Sequence, residues 1–172
     1  MESHVTNVVV RAQILCPENK LSLVDFMPFA HIKFTHRPTM AKFYFKGVTI
    51  LIFTSLKCRS MGLPLNCDND LDLIIAKHKE IMFNFIMKFP WPLEMQDLTL
   101  STATVTHQIP FTLSLNTDYL MFEPELFSGA KLRVNDSAHV NVFATGKVVC
   151  LGIRSKEHVQ KLLAYLYECI HK

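Results

Sequence analysis

Several functional classes are excluded by what this sequence lacks. No run of about 18 uncharged apolar residues occurs, since the richest stretch, Val48-Thr-Ile-Leu-Ile-Phe53, is closed within ten residues by Lys57. A membrane-spanning helix is therefore not expected. The five cysteines, Cys16, Cys58, Cys67, Cys150 and Cys169, contain no CxxC pair, and no basic, apolar, small-residue leader precedes the first apolar run. A reducing compartment is expected and disulfides are not. The eight histidines show no ligand spacing with these cysteines, so neither a metal nor another cofactor is expected. No nucleophile motif surrounds Cys150, so catalysis on a small-molecule substrate is not expected either. Charge of one sign is also scarce: 18 Lys and Arg against 15 Asp and Glu leave a formal +3. That balance permits a nucleic-acid partner without requiring one. Apolar side chains are abundant, at 49% of 172 residues. They suffice for one cored domain or two fused half-domains.

An internal repeat decides between these. Ile52-Phe-Thr-Ser-Leu-Lys-Cys-Arg-Ser-Met-Gly62 aligns with Val142-Phe-Ala-Thr-Gly-Lys-Val-Val-Cys-Leu-Gly152 at an offset of 90 residues. Phe53 meets Phe143, Lys57 meets Lys147 and Gly62 meets Gly152. Each copy runs into a helical stripe: Leu71, Ile74, Ile75, His78, Met82, Phe85 and Phe89 after the first, Val159, Leu162, Leu163, Leu166, Tyr167 and Ile170 after the second. Asp68, Asn69 or Asp70 can cap the first helix and Ser155 the second. Period-two runs at 40–46, 48–54 and 57–62 repeat at 127–134, 138–144 and 146–151, with turns at Lys46-Gly47, Asn135-Asp136-Ser137 and Thr145-Gly146. Further strands are expected at 5–14 and 96–106, and brief helices at 20–29, broken near Pro28, and at 111–121. Phe89-Pro-Trp-Pro92 reads as a stiff link. The fold class is α+β: two halves, 1–89 and 90–172, each a strand, a short helix, three strands and a long helix, with helices on one sheet face.

The other face is where function is expected. Alternation turns Val140 and Val142 toward the helices and His139, Asn141 and Phe143 away from them. Lys147, Val149 and Leu151 form the outward set of the next strand, and Lys57, Arg59 and Met61 form its counterpart. Periodicity allows two readings. A second layer would make Phe53 and Phe143 core, whereas an uncovered face mixing rings and cations is a binding surface. Minor-groove architectural proteins use such rings as wedges between base steps.

Phe122-Glu-Pro-Glu-Leu-Phe-Ser-Gly129, taken with Val142–Gly152, resembles the second repeat of the TATA-box-binding protein family. Thr6-Asn-Val-Val9, Leu51-Ile-Phe-Thr-Ser55, Lys57, Gly62 and Phe89-Pro90 are similar to its first half. The resemblance implies a curved antiparallel sheet, a saddle, whose concave side lies on a widened minor groove of A·T-rich double-stranded DNA. It implies wedges at Phe53, Phe127 and Phe143, with Met40 (or, second, Phe43) in the fourth place. Phosphate-contacting cations are implied at Lys46, Lys57, Arg133, Lys147 and Arg154. Base-facing positions correspond to Asn7 and Val9, to Leu100 where a second asparagine is usual, to Met61 and Leu151 where threonines are usual, and to Arg59 and Val149 at the centre. Glu123, Glu125 and Leu126 fall where the family meets a transcription factor IIB-like protein; other initiation factors are implied partners too. The implied function is a DNA-bending general transcription factor of the nucleus. No family-type extension precedes the core, which suggests a divergent paralogue or a viral relative. The alternative is a saddle-shaped interaction scaffold that has lost sequence-specific DNA binding.

Overall fold

The computed structural model describes residues 3–17, 20–31, 39–134 and 137–171. Positions 135 and 136 of the expected Asn-Asp-Ser turn lie outside the described residues. Nine antiparallel strands are described: β1 (Ser3–Leu15), β2 (Met40–Phe45), β3 (Val48–Phe53), β4 (Lys57–Gly62), β5 (Glu94–Gln108), β6 (Leu120–Met121), β7 (Ala130–Leu132), β8 (His139–Val142) and β9 (Lys147–Ile153). Their order is β2-β3-β4-β1-β5-β9-β8-β7-β6. The helices are α1 (Leu23–Phe26), α2 (Leu71–Ile86) and α3 (Lys156–Ile170), and a 3-10 turn over Met27–Phe29 follows α1 with Pro28 at its start. The α+β class expected from the sequence is found. By contacts the chain divides into two compact units, Asn7–Ser101 and Met1–Thr6 with Thr102–Lys172.

In the Asn7–Ser101 unit, strand alternation decides what is buried. Val8, Val10, Ala12 and Ile14 of β1, Ala41 and Phe43 of β2, Val48, Ile50 and Ile52 of β3 and Cys58 and Ser60 of β4 all lose contact with solvent. They meet the face of α2 formed by Leu71, Ile74, His78, Ile81, Met82, Phe85 and Ile86. Asp70 caps that helix, its carboxylate accepting from the N–H groups of Asp72 and Leu73 at 3.0 and 3.3 Å, which satisfies two of the donors a helix start leaves over. The Phe89-Pro-Trp-Pro92 link is held by rings. Phe89 lies edge-on to Phe26 at 5.0 Å and to Phe85 at 5.2 Å and stacks on Trp91 at 6.0 Å. Phe43 belongs to this cluster, 5.0 Å from Phe85 and only 2% exposed. It is core, which removes it as a substitute wedge.

The second unit repeats the scheme. Ala103 and Val105 of β5 with Ile109 just after it, Ala130 and Leu132 of β7, Val140 and Val142 of β8 and Val148, Cys150 and Ile153 of β9 are buried. Val159, Leu162, Leu166 and Cys169 are the buried residues of α3. Ser155 caps α3 through its hydroxyl, which accepts from the His158 N–H at 3.1 Å. Burial pushes the Cys150 thiol up to about 11, as expected of an inert core cysteine. The 90-residue offset extends to the turns: Leu56 N–H donates to Phe53 O at 2.8 Å and Gly146 N–H to Phe143 O at 2.9 Å, with Leu56 and Gly146 both left-handed at φ 57° and 81°. Gln13 donates to the carbonyls of Ile14 and Ser55, and Gln108 to those of Ile109 and Thr145. This pair, unnoticed in the sequence, ties each first strand to its turn.

Two expectations are corrected. Residues 111–121 form no helix. The segment Thr-Leu-Ser-Leu-Asn-Thr-Asp offers side chains that compete for backbone hydrogen bonds, and its backbone is claimed elsewhere: Leu113 N–H donates to Ala144 O at 2.9 Å and Leu120 pairs with Leu132 in the β6–β7 ladder. The strand expected at 127–134 shrinks to Ala130–Leu132, because Glu123 O already accepts from the N–H groups of Leu126 and Phe127, each at 3.0 Å, in a single helical turn.

A buried histidine links helix and sheet. His78 is fully buried and its Nε2 lies 3.1 Å from Gly62 O, an acceptor, so Nε2 carries the proton; Nδ1 then accepts from the Ser60 hydroxyl at 2.8 Å. Burial holds its pKa below the usual histidine value, opposed by the Gly62 hydrogen bond. The unfolded chain therefore takes up this proton first as pH falls. Stability from this group is whole above the unfolded value near 6.5 and drains as pH drops below it toward the folded value. Denaturant midpoints measured between pH 8 and 5 will fall below about pH 6.5, and His78→Gln will flatten that part of the profile. Phe43→Ala will lower stability by about 3–5 kcal/mol in the same denaturation assay, with no direct effect at the outward face.

Candidate nucleic-acid interface

In both units the sheet face opposite the helix is uncovered among the described residues. Along β1 of the Asn7–Ser101 unit, Asn7 and Arg11 are exposed and Val9 and Gln13 half-buried, between the buried residues of the other parity. On β4, Lys57 and Arg59 are exposed and Met61 half-buried; on β3, Thr49, Leu51 and Phe53 are half-buried. The ladder aligns these into cross-strand rows: Thr49, Met61 and Val9; Leu51, Arg59 and Arg11; Lys57 and Gln13. In the other unit the rows are His139, Leu151 and Thr104; Asn141, Val149 and Thr106; Lys147 and Gln108. Among the described residues no second layer of this chain covers Phe53 and Phe143, and both stand on this face half-buried.

The aromatic end of each unit is built differently. Phe127, 40% exposed, packs edge-on against Phe143 with ring centroids 5.6 Å apart. Gly129 makes this possible: a Cβ there would stand 2.8 Å from the Phe127 ring and 3.0 Å from the Phe143 ring. In the first repeat Met40 lies across from Phe53 in the β2–β3 ladder. One step beyond the Ala130–Val142 pair, the same position beside Phe143 falls to Gly129. Met40 thus occupies the place of Gly129 rather than that of Phe127, a correction to the sequence alignment. The residue two positions earlier, Pro38, lies outside the described residues.

Asn7 is oriented by its surroundings. Its Oδ1 accepts from Gly62 N–H at 3.1 Å, which leaves the amide N–H2 group directed outward as a donor. The ladders also correct its partner. Asn7 stands two residues before Val9, which faces Met61, and the residue two before Thr104, which faces Leu151, is Thr102 rather than Leu100. Within β5 the irregularity that an ungapped alignment overlooks is Asp97, left-handed at φ 54°; the register shift opposite Ala103 and Thr104 belongs to β9, where Gly152 is the extra residue. Leu100 is half-buried on the same strand.

The cations do not all gather. Lys57 and Arg59 line one cleft with Arg11, and Lys147 shares a row with Gln108. Arg133 stands at the β7 edge, exposed, and Arg154 is exposed just before α3. Lys46 leans to the helix side: its ammonium sits 5.7 Å from the Phe45 ring, and its charge helps hold the α2 residue Glu80 below the usual carboxylate range, after the larger influence of Lys77. Arg11 and Lys131 were missed from the sequence. Each shares its strand parity with recognised outward residues, Arg11 with Asn7 and Val9, and Lys131 with Arg133, and that parity was the available signal. The Glu123-Pro-Glu-Leu-Phe127 segment presents Leu126 at 80% exposure and, with Met121 and Lys131, lines a cleft of about 390 Å3.

Residues 97–172 match the sequence model of the family described as Transcription factor TFIID (or TATA-binding protein, TBP). A TATA-box-binding protein of Tetrahymena thermophila is 25% identical over 126 residues, 69% of this chain and 49% of that protein. The chain thus spans about half the length of that relative. The solved structure of Methanococcus jannaschii TBP superposes with a TM-score of 0.74 at 20% identity, covering 99% of both chains. That likeness shows the fold. The second half of the chain thus matches the sequence model of the TATA-binding protein family, and the chain as a whole shares the fold of its archaeal member.

Proposed function

We propose that this protein is a transcription factor that binds double-stranded DNA through the minor groove, bends it and recruits initiation factors in the nucleus, acting as a binding protein rather than an enzyme. The uncovered sheet face carries the reading: a surface that mixes half-exposed rings with cations is unfavourable to leave in water and complementary to a groove walled by phosphates. The repeats at 1–89 and 90–172 supply one row system each. Phe53, Phe127 and Phe143 act as wedges, with Met40 lying beside Phe53. Asn7, Val9, Met61, Val149 and Leu151 meet the groove floor, with Thr102 in the place opposite Asn7 and Leu100 one step further along the same strand parity; Asn7 donates to adenine N3 or thymine O2. Lys57, Arg59, Arg133, Lys147 and Arg154 meet the backbone; Lys46 would have to swing away from Phe45 to join them. The aliphatic Met61 and Leu151 offer no donor, so selectivity rests on groove shape and deformability more than on hydrogen bonds.

Wedging and charge attraction separate experimentally. Phe127→Ala with Phe143→Ala will remove most of the bend seen by energy transfer between duplex ends, while the slope of affinity against salt stays nearly constant. Lys147→Ala or Arg154→Ala will reduce that slope by about one unit each and spare the bend. Unchanged bending in the folded double variant would refute the wedge assignment.

Exposed Leu126 favours a second role for the neighbouring edge, as the seat of a factor IIB-like partner gripped through Glu123, Glu125 and Leu126. Glu123→Lys with Glu125→Lys will weaken capture of that factor on preformed DNA complexes at least about tenfold, the order expected of a lost interface hot spot, while duplex affinity holds or rises. If the wild-type protein captures the factor but no duplex, the chain is a scaffold.

A further inference from the structure

The two repeats place different chemistry at the same position. In the first repeat one cross-strand row reads Leu51, Arg59, Arg11. The equivalent row of the second reads Asn141, Val149, Thr106. Two cations therefore stand directly opposite each other in one repeat, and two neutral side chains do so in the other. Like charges facing each other across a ladder destabilise a sheet. Among the described residues neither guanidinium has an ion-pair partner.

Both arginines are nevertheless held in place. Arg59 lies over the Phe53 ring with its guanidinium carbon 5.5 Å from the centroid, and Arg11 Nε donates to Thr99 Oγ1 at 3.1 Å. Together with Gln13, Lys57, Asp97 and Thr99 they line an open cleft of about 410 Å3, in which Asp97 is the single acid among three cations. A guanidinium fixed by packing loses less freedom when it meets an acceptor. Arginines set within a sheet row, rather than at its rim, address the floor of a groove.

Resting on the proposed minor-groove reading, we infer that Arg11 and Arg59 determine specificity and orientation, by placing the first repeat on the more A·T-rich half of an asymmetric site. Before the wedges widen it, the narrow minor groove of an A·T half carries the more negative potential and attracts arginine at the encounter. The 2-amino group of guanine intrudes on the same floor and adds a competing donor. Without this pair, two repeats of like form would meet a duplex with little preference for either direction.

The thiols offer a way to see orientation. Cys58 and Cys150 are fully buried, with thiols pushed up to about 12 and about 11, and Cys169 is also buried. Cys16 and Cys67 are part-exposed, and both lie in the first repeat. A thiol-directed iron chelate will therefore mark that repeat, and hydroxyl-radical cleavage will report which half of a duplex lies near it. On a duplex with one A·T-only half and one mixed half, the labelled wild-type protein will cut the A·T half at least about fivefold more. Arg11→Thr with Arg59→Val, which copies the second repeat, will bring the ratio close to one and weaken binding about tenfold, within the range for a lost base-edge arginine. Lys57→Ala will weaken binding while the ratio persists. Equal cutting of both halves by the wild type, or a bias kept by the folded double variant, overturns the inference and leaves DNA binding standing. Absence of binding and cleavage on any duplex overturns the minor-groove reading and this inference with it.

Discussion

Each repeat has one long helix to cover its strands, and that constraint shapes everything else. A helix is about 10 Å across and neighbouring strands lie about 4.8 Å apart, so one helix reaches at most one sheet face, and none is left to cover the other. Every strand must therefore sort its side chains by parity. The sorting is thorough: Val8, Val10, Ile50, Ile52 and Cys58 in one repeat, and Val140, Val142, Val148 and Cys150 in the other, are at most 1% exposed. Residues of the opposite parity contribute little to the core. Their identities are set by whatever meets that face.

The two faces still communicate, through the two peptide groups that flank Gly62. Gly62 donates its N–H to Asn7 on the outward side and offers its carbonyl to His78 on the helix side. The fixed tautomer of a buried histidine thereby holds the strand end that orients an outward amide. The hydrogen bonds are worth about 1 kcal/mol each, yet breaking either leaves a polar group unpaired in or beside the core, at a larger cost. The Asn7 donor is consequently preorganised, and a donor that needs no reorientation binds an acceptor with less entropic loss.

Much of this was legible because the repeat exposes itself in unlike residue types kept in order. Phe53 with Phe143, Lys57 with Lys147 and Gly62 with Gly152 located the turns and strands in which they sit, and the stripes of α2 and α3 located the helices. What failed was counting within and into strands. An ungapped count reaches Leu100 instead of Thr102 because the left-handed Asp97 within β5 has no compositional mark, and it pairs Met40 with Phe127 although the ladder position of Met40 belongs to Gly129. The helix expected at 111–121 rested on a few spaced apolar residues. Leu115 and Leu120 are indeed buried, but extended backbone takes them there, since tertiary hydrogen bonds outweigh a weak local preference. Arg11 is legible by parity alone, since it shares its strand face with Asn7 and Val9.

The difference between the repeats follows from the same division of labour. Opposing Arg11 and Arg59 costs the sheet on the scale of other cross-strand pairs, a fraction of a kcal/mol to about 1. The Phe53 ring under Arg59 returns a comparable amount, about 0.5–1 kcal/mol at an exposed site. Exchanging Arg59 for the Val149 type, or Arg11 for the Thr106 type, thus alters fold stability far less than any exchange among the buried residues, where loss of one side chain costs about 2–5 kcal/mol. Buried rows are held alike in the two repeats by packing, whereas outward rows can diverge residue by residue without disturbing the frame. A duplicated half-domain can in this way keep its core and ladder order while its two binding rows become chemically distinct.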